Sequence, residues 1–156
     1  MKLVLSSLAV TAAFLAPTVV EAKQVTFETT LKDYGGRGAY VALYVTDAAG
    51  KYAGTLWLAG TKTRYYRDLS DWARLSGGKI SEVDGITGAS VGSGKTLKVT
   101  VDLADALFDA GYQVHVDTAV EDGFNNPSEI VVPLAQASVG KPATGKGYVK
   151  SFTVTF

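Results

Sequence analysis

Ala39-Tyr40-Val41-Ala42-Leu43-Tyr44-Val45-Thr46 is the stretch that decides the fold. It is rich in β-branched and aromatic residues, so it is a strand. It is also apolar on both faces, unlike a strand with one face in water. It is therefore expected at the centre of a sheet. Before it, Val25, Phe27, Thr29 and Leu31 alternate with Thr26, Glu28 and Thr30, and Asp33-Tyr34-Gly35-Gly36 turns the chain. After it, Asp47-Ala48-Ala49-Gly50 reads as a hairpin turn into a third strand, Tyr52 to Ala59. This is the spacing of an antiparallel meander.

Further along, the pattern changes and then returns. Gly60 to Gly78 carries Lys62, Arg64, Tyr65, Tyr66, Arg67, Trp72 and Arg74. Leu69, Trp72 and Ala73 share one helical face, Asp68 or Ser70 can cap it, and Gly77-Gly78 ends it. The expectation is one short helix lying against the sheet edge. Leu97, Val99, Val101 and Leu103 then alternate with polar residues as a half-buried strand. Asp105 to Ala110 makes a tight helical turn ended by Gly111, and Tyr112, Val114, Val116 and Val120 form the apolar face of the next strand. Asn125-Asn126-Pro127 reads as a turn, Glu129 to Leu134 as a short strand, and Ser138 to Gly147 as a Gly/Pro/Lys loop. Tyr148 to Phe156 closes the domain with Phe152, Val154 and Phe156 facing one way. Leu107 to Val114 resembles the strand entry of immunoglobulin-like and fibronectin-like sandwiches, where a tyrosine anchors the corner. Seven strands with one helical excursion define an all-β fold, an antiparallel immunoglobulin-like β-sandwich.

The chain opens on a different signal. Met1-Lys2 is a short basic start, and Leu3 to Leu15 is apolar apart from Ser6, Ser7 and Thr11. Pro17 follows, and Val20-Glu21-Ala22 offers small residues for cleavage. This reads as a secretory signal peptide over residues 1–22, cleaved after Ala22, with a single sandwich domain over 23–156 in the periplasm. No later segment reaches the ~18 apolar residues of a spanning helix, so no membrane span is expected after cleavage. The absence of cysteine excludes disulfides, thiolate metal sites and iron–sulfur clusters. Fifteen basic and fifteen acidic residues balance, which gives no global field to gather nucleic acid or anionic lipid.

Asp84-Gly85-Ile86-Thr87-Gly88-Ala89-Ser90 stands out for its chemistry. Two glycines, two hydroxyls and a carboxylate sit in a loop with one large apolar residue, and it presents the Ser90 hydroxyl on a platform of small residues. Two motifs compete nearby. Gly92-Ser93-Gly94-Lys95-Thr96 resembles a phosphate-binding loop, but Ala89 stands where its first glycine belongs and a strand follows instead of a helix. Gly88-Ala89-Ser90-Val91-Gly92 matches the Gly-x-Ser-x-Gly string of a nucleophile elbow, but without the following helix or an α/β pattern. His115 is the only histidine. It alternates out of phase with its apolar neighbours, so it is expected in solvent beside Asp117 and Glu121, where His115 and Asp117 make a weak metal pair. The Lys62/Arg64/Arg67/Arg74 group, with Tyr65, Tyr66 and Trp72, has the chemistry to cradle an anion or an aromatic ring. A solvated amphipathic helix face with Trp72 buried is the better reading, and arginine with aromatics also suits a docking surface.

The Asp84–Ser90 loop resembles the sequence recognised by ApbE-type flavin transferases, approximately Asp-x-x-(Ser/Thr)-Gly-Ala-(Ser/Thr). In proteins with that motif, the last hydroxyl receives FMN through a phosphoester bond. The resemblance puts Ser90 at the acceptor, with Asp84, Thr87, Gly88 and Ala89 as the rest of the motif. Threonine is the commoner acceptor, and Gly92 stands where a further hydroxyl is often found. Almost the whole mature chain also resembles a bacterial family of predicted periplasmic proteins of unknown function. The matching stretches are Leu31–Gly36, Ala39–Thr46, Leu69–Trp72, Asp84–Ser90 and Leu103–Tyr112. Members of that family are often encoded beside PepSY-type membrane proteins and flavin transferases, in settings of iron acquisition. The resemblance implies an exported electron carrier. Its covalent FMN would relay electrons from a PepSY-type membrane redox protein to a periplasmic acceptor such as a ferric chelate. The other reading is a non-redox immunoglobulin-like binding or assembly module, since fold does not fix function.

Overall fold

The computed structural model describes residues 21–156. All but the last two residues of the expected signal peptide lie outside the described residues. Cleavage after Ala22 would remove the first rung of β1 (Ala22–Leu31), where Ala22 stands opposite Ala104. The other strands are β2 (Ala39–Thr46), β3 (Tyr52–Ala59), β4 (Thr87–Gly88), β5 (Thr96–Ala104), β6 (Gln113–Val120), β7 (Asn125–Pro133) and β8 (Val149–Thr155). They form two sheets, ordered β5-β1-β8 and β4-β3-β2-β6-β7.

The pairings β1–β5, β2–β3, β2–β6 and β6–β7 are antiparallel. They are the B–E, C–C′, C–F and F–G pairs of an immunoglobulin-like sandwich. β8 pairs with the remaining side of β1, the place that the first strand holds in an immunoglobulin domain. The expected sandwich is therefore present, with its last strand in the position of the first. Tyr112 stands at the corner before β6, packed against the core, and its carbonyl accepts the Leu134 N–H (2.9 Å).

β2 is buried along its whole length. Ala39, Val41, Leu43 and Val45 face Phe27, Val116, Phe152 and Val154 between the sheets. Tyr40, Ala42 and Tyr44 face a second apolar cluster of Leu58, Tyr66, Leu69, Trp72 and Val83. Tyr66, Leu69 and Trp72 of this cluster come from the helical excursion, in which α1 (Ser70–Ser76) follows a 3₁₀ turn at Thr63–Asp68. The excursion lies on the outer face of the five-stranded sheet and not at its edge, because β2 has a second apolar face to cover. Gly77 ends α1 in the left-handed conformation, as its position suggested. The start of α1 is not capped by Asp68 or Ser70. Leu69 precedes it without a side-chain bond, and Asp117 of β6 accepts the Trp72 N–H (2.8 Å).

Asn125-Asn126-Pro127 belongs to β7 and is not a turn. Asn125 and Asn126 pair with Ala119 and Thr118, and the register shifts between Val116 and Thr118. That irregularity accommodates Pro127, which has no N–H for a ladder.

Candidate functional site

The Asp84–Ser90 segment is strapped to the sheet and is not a free loop. Ile80–Val83 forms a 3₁₀ turn whose Val83 is buried. Gly85 then takes a left-handed conformation (φ 80°) that reverses the chain. The Ile86 carbonyl accepts the Leu58 N–H (2.9 Å), and the Gly88 carbonyl accepts the Gly60 N–H (2.7 Å). Thr87–Gly88 thereby becomes an eighth strand, parallel to β3. Val91 exchanges two backbone bonds with Ala39 (2.7 and 2.9 Å). Ala89 and Ser90 are exposed between these two fixed points. At Gly88 a Cβ would lie 2.8 Å from the Trp57 indole, so glycine lets this edge close on β3. Asp84 and Thr87 are exposed.

Ser90 opens into a pocket of about 340 Å³, lined also by Arg37, Gly38, Tyr40, Thr61, Lys62 and Glu121. These residues come from one end of the five-stranded sheet. Arg37-Gly38 precedes β2, Thr61-Lys62 follows β3, Ser90 follows β4, and Glu121 follows β6. A Cβ on Gly38 would lie 2.6 Å from Ser90 Oγ, so glycine is what leaves room for the hydroxyl. Gly60 plays the same part for Tyr40, since a Cβ there would lie 2.0 Å from the ring.

The electrostatics of the pocket centre on Glu121. Its side chain is only 9% exposed, whereas those of Arg37 and Lys62 are 65% and 53% exposed. Arg37 donates to Glu121 Oε2 (2.6 Å), and Lys62 donates to Oε1 (3.0 Å). These bonds hold the Glu121 carboxyl below its ordinary range, Lys62 contributing most. Among the residues that line the pocket, two cations meet one carboxylate, an excess of one positive charge. The Asp122 carboxylate, 89% exposed and outside that lining, pairs with Arg37 at 3.8 Å and offsets part of the excess through solvent.

The aromatic residues divide sharply. Trp72 and Tyr66 are buried, with Trp72 Nε1 donating to Thr55 (2.8 Å) and the Tyr66 hydroxyl to the Gly60 carbonyl (2.9 Å). Tyr65 is half-buried, packed on Tyr40 at 5.5 Å between centroids, with Arg64 over its ring at 4.8 Å. Arg64, Arg67 and Arg74 are exposed. The Gly92–Thr96 stretch is structural. Ser93 Oγ accepts the N–H groups of Tyr34 and Gly35 (2.9 and 3.0 Å) and donates to Asp33 (3.1 Å), bracing the turn between β1 and β2.

His115 and Asp117 do not lie in solvent. α1 and its flanks cover that side of β6, leaving His115 half-buried and Asp117 fully buried. Asp117 Oδ1 accepts from the Tyr44 hydroxyl (3.0 Å) and the Ser128 N–H (2.7 Å), and Oδ2 from the Trp72 N–H. His115 stacks on Tyr44 at 5.0 Å. Its Nε2 bonds the Thr46 hydroxyl (2.9 Å), and its Nδ1 meets Ser128 Oγ (3.2 Å), which donates to Asp71 (2.7 Å). Burial pushes the Asp117 carboxyl up and the His115 imidazole down from their ordinary values. This network fastens the helical excursion to the sheet. Glu121 is not part of it, and among the described residues no group of three or more His, Asp and Glu is placed to hold a metal.

An all-β sandwich with a serine-bearing, cation-lined pocket at one end of its larger sheet is the class that fold and site define. The chain belongs to the family described as "Predicted periplasmic protein (DUF2271)", whose profile matches residues 22–151, and the expected periplasmic location agrees with that description. No curated protein and no solved structure matches the chain. Among the described residues, no helix is long and apolar enough to cross a membrane. Lys62 stands out in the sequence with Arg64, Arg67 and Arg74, and Glu121 with His115 and Asp117, but nothing local joins either of them to Arg37, Gly38 and Ser90. The strand registers that join them set Ala39 opposite Val120 and Val41 opposite Ala59.

Proposed function

We propose that the protein is a periplasmic electron carrier with FMN attached to Ser90 by a phosphoester bond. The observation that supports this reading is the exposed Ser90 hydroxyl, set in a pocket with one excess positive charge inside a segment that resembles a flavin-transferase recognition sequence. A phosphodiester carries one negative charge, which matches that excess. Attachment is a substitution at phosphorus without change of oxidation state. The Ser90 oxygen bonds to the flavin-side phosphorus of a flavin dinucleotide, the phosphoanhydride bond breaks, a nucleoside monophosphate leaves, and the serine proton passes to a base on the transferase. A hydroxyl is the side chain this chemistry needs, and Ala89 leaves it unobstructed.

The residues present suit the group. Arg37 and Lys62 can meet the phosphate. Tyr65, half-buried beside Tyr40, keeps part of its ring open near the pocket, whereas the buried Tyr66 and Trp72 are not available for stacking. The flavin supplies the one- or two-electron chemistry, and the chain supplies attachment, orientation and surroundings. Flavin transferase, PepSY-type membrane donor and ferric acceptor enter as partners with this reading. Intact-mass measurement of protein coexpressed with a flavin transferase tests it. Added FMN mass in the wild type and none in Ser90→Ala is the expected result. Unmodified wild type, or a flavin retained by Ser90→Ala, refutes it.

A further inference from the structure

Glu121 takes a hydrogen bond from each of two cations that line the pocket of Ser90. An ion pair between exposed side chains usually contributes little to stability. Here the carboxylate is nearly buried while both cations remain largely open to solvent. The arrangement holds two mobile side chains, 25 residues apart in sequence, at one rim. Each cation gives one hydrogen bond to Glu121 and has further N–H groups that can meet an acceptor, since guanidinium carries five donors and ammonium three. The exposed Asp122 carboxylate, 3.8 Å from Arg37, competes for them only through solvent. Gly38 keeps the space beside Ser90 Oγ clear. A preset donor pair around a hydroxyl is how a site receives a phosphoryl group without ordering long side chains at the moment of binding.

We propose that Arg37 and Lys62, gathered by Glu121, form a cradle for the phosphoryl group of a substituent on Ser90. The proposal rests on the Ser90 reading for its natural occupant. The cradle itself is present in the unmodified chain and is testable there. Glu121 sets its strength. It positions the cations and also cancels one of their charges, so that the phosphoryl group is held by a net single charge. Removing that cancellation makes the pocket bind anions more strongly, an outcome opposite to that of losing a purely structural ion pair.

The experiment is a titration of the unmodified, isotope-labelled protein with inorganic phosphate at constant ionic strength, followed by amide NMR. Shifts of the Gly38 and Ser90 amides are expected in the wild type and are lost in Arg37→Gln/Lys62→Gln. Glu121→Gln should bind phosphate roughly five-fold more tightly, the effect of one unit charge about 4 Å away in water. No shift in the wild type, unchanged binding in the double variant, or weaker binding in a folded Glu121→Gln overturns the cradle. In parallel, flavin mass is measured after coexpression with a transferase. Phosphate binding without flavin mass leaves the cradle standing and removes FMN as its occupant. Flavin mass without phosphate binding does the reverse.

Discussion

Asp117 is the residue whose loss should do most to separate the helical excursion from the sheet. Its carboxylate is fully buried and accepts three hydrogen bonds, from the Tyr44 hydroxyl and from the N–H groups of Trp72 and Ser128. In Asp117→Ala the Tyr44 hydroxyl can turn to Ser128 Oγ, already 3.3 Å away. The two backbone N–H groups have no such alternative. A buried donor left unpaired costs about 1–3 kcal/mol, so the pair costs about 2–6 kcal/mol. The lower part of that range is expected, because the variant no longer buries a charge. Asp117→Asn keeps the shape but must turn its NH₂ toward at least one donor, for about 1–3 kcal/mol. Urea denaturation should therefore rank wild type above Asn above Ala, with the m-value unchanged if both variants unfold in one step. Hydrogen exchange should show where the loss falls. α1 has 7 residues and is too short to persist without its packing. The amides of α1 should lose protection more than those of β1, which does not touch it. An Ala variant within about 0.5 kcal/mol of wild type, the range of a neutral surface change, would refute this reasoning.

Two further outcomes follow from the site and from its neighbour network. Gly38→Ala places a methyl 2.6 Å from Ser90 Oγ and 3.2 Å from its Cβ, so rotation of the hydroxyl alone does not relieve the contact. It should cost about 1–3 kcal/mol as overpacking and slow flavin incorporation by the transferase, read by intact mass against time; incorporation at the wild-type rate argues against Ser90 as the acceptor in this geometry. His115 has its imidazole pushed below the ordinary 6.5 by burial. The unfolded chain then binds the proton more readily, so this stability is present above pH 6.5 and is lost as pH falls through the lower folded value. Asp71, also lowered, loses its contribution in the same direction but below 3.8, whereas Asp117, raised, contributes with the opposite sign. Denaturation midpoints between pH 7 and 5 should therefore fall in wild type and stay flatter in His115→Gln; parallel profiles would remove His115 from the account.

The fold was legible because its central strand has two dry faces. Tyr40, Ala42 and Tyr44 required a second layer as surely as Val41, Leu43 and Val45 required an opposite sheet. That same logic, carried across the register, would have placed His115 and Asp117. His115 stands opposite Tyr44 and Asp117 opposite Ala42, so both lie under whatever covers those residues. Read along β6 alone, they alternate with valines and look solvated. Alternation reports which residues share a face, not whether that face is wet. Pro127 misled in a similar way, since a proline that ends most strands is tolerated where the ladder is already irregular.

The site was legible only in part, for a reason of distance along the chain. The glycines and hydroxyls of Asp84–Ser90 are contiguous, and local turn chemistry makes them conspicuous. Arg37 and Glu121 are 84 residues apart, and only the antiparallel pairing of β2 with β6 brings them together. β2 begins and β6 ends at the same end of the sheet, so the residue before one strand meets the residue after the other. β3 and β4 run parallel and end there too, delivering Lys62 and Ser90. Four chain segments thus converge on one hydroxyl, two bringing positive charge and one bringing the carboxylate that restrains it. The sequence identifies the serine as unusual, but the sheet determines which charges surround it.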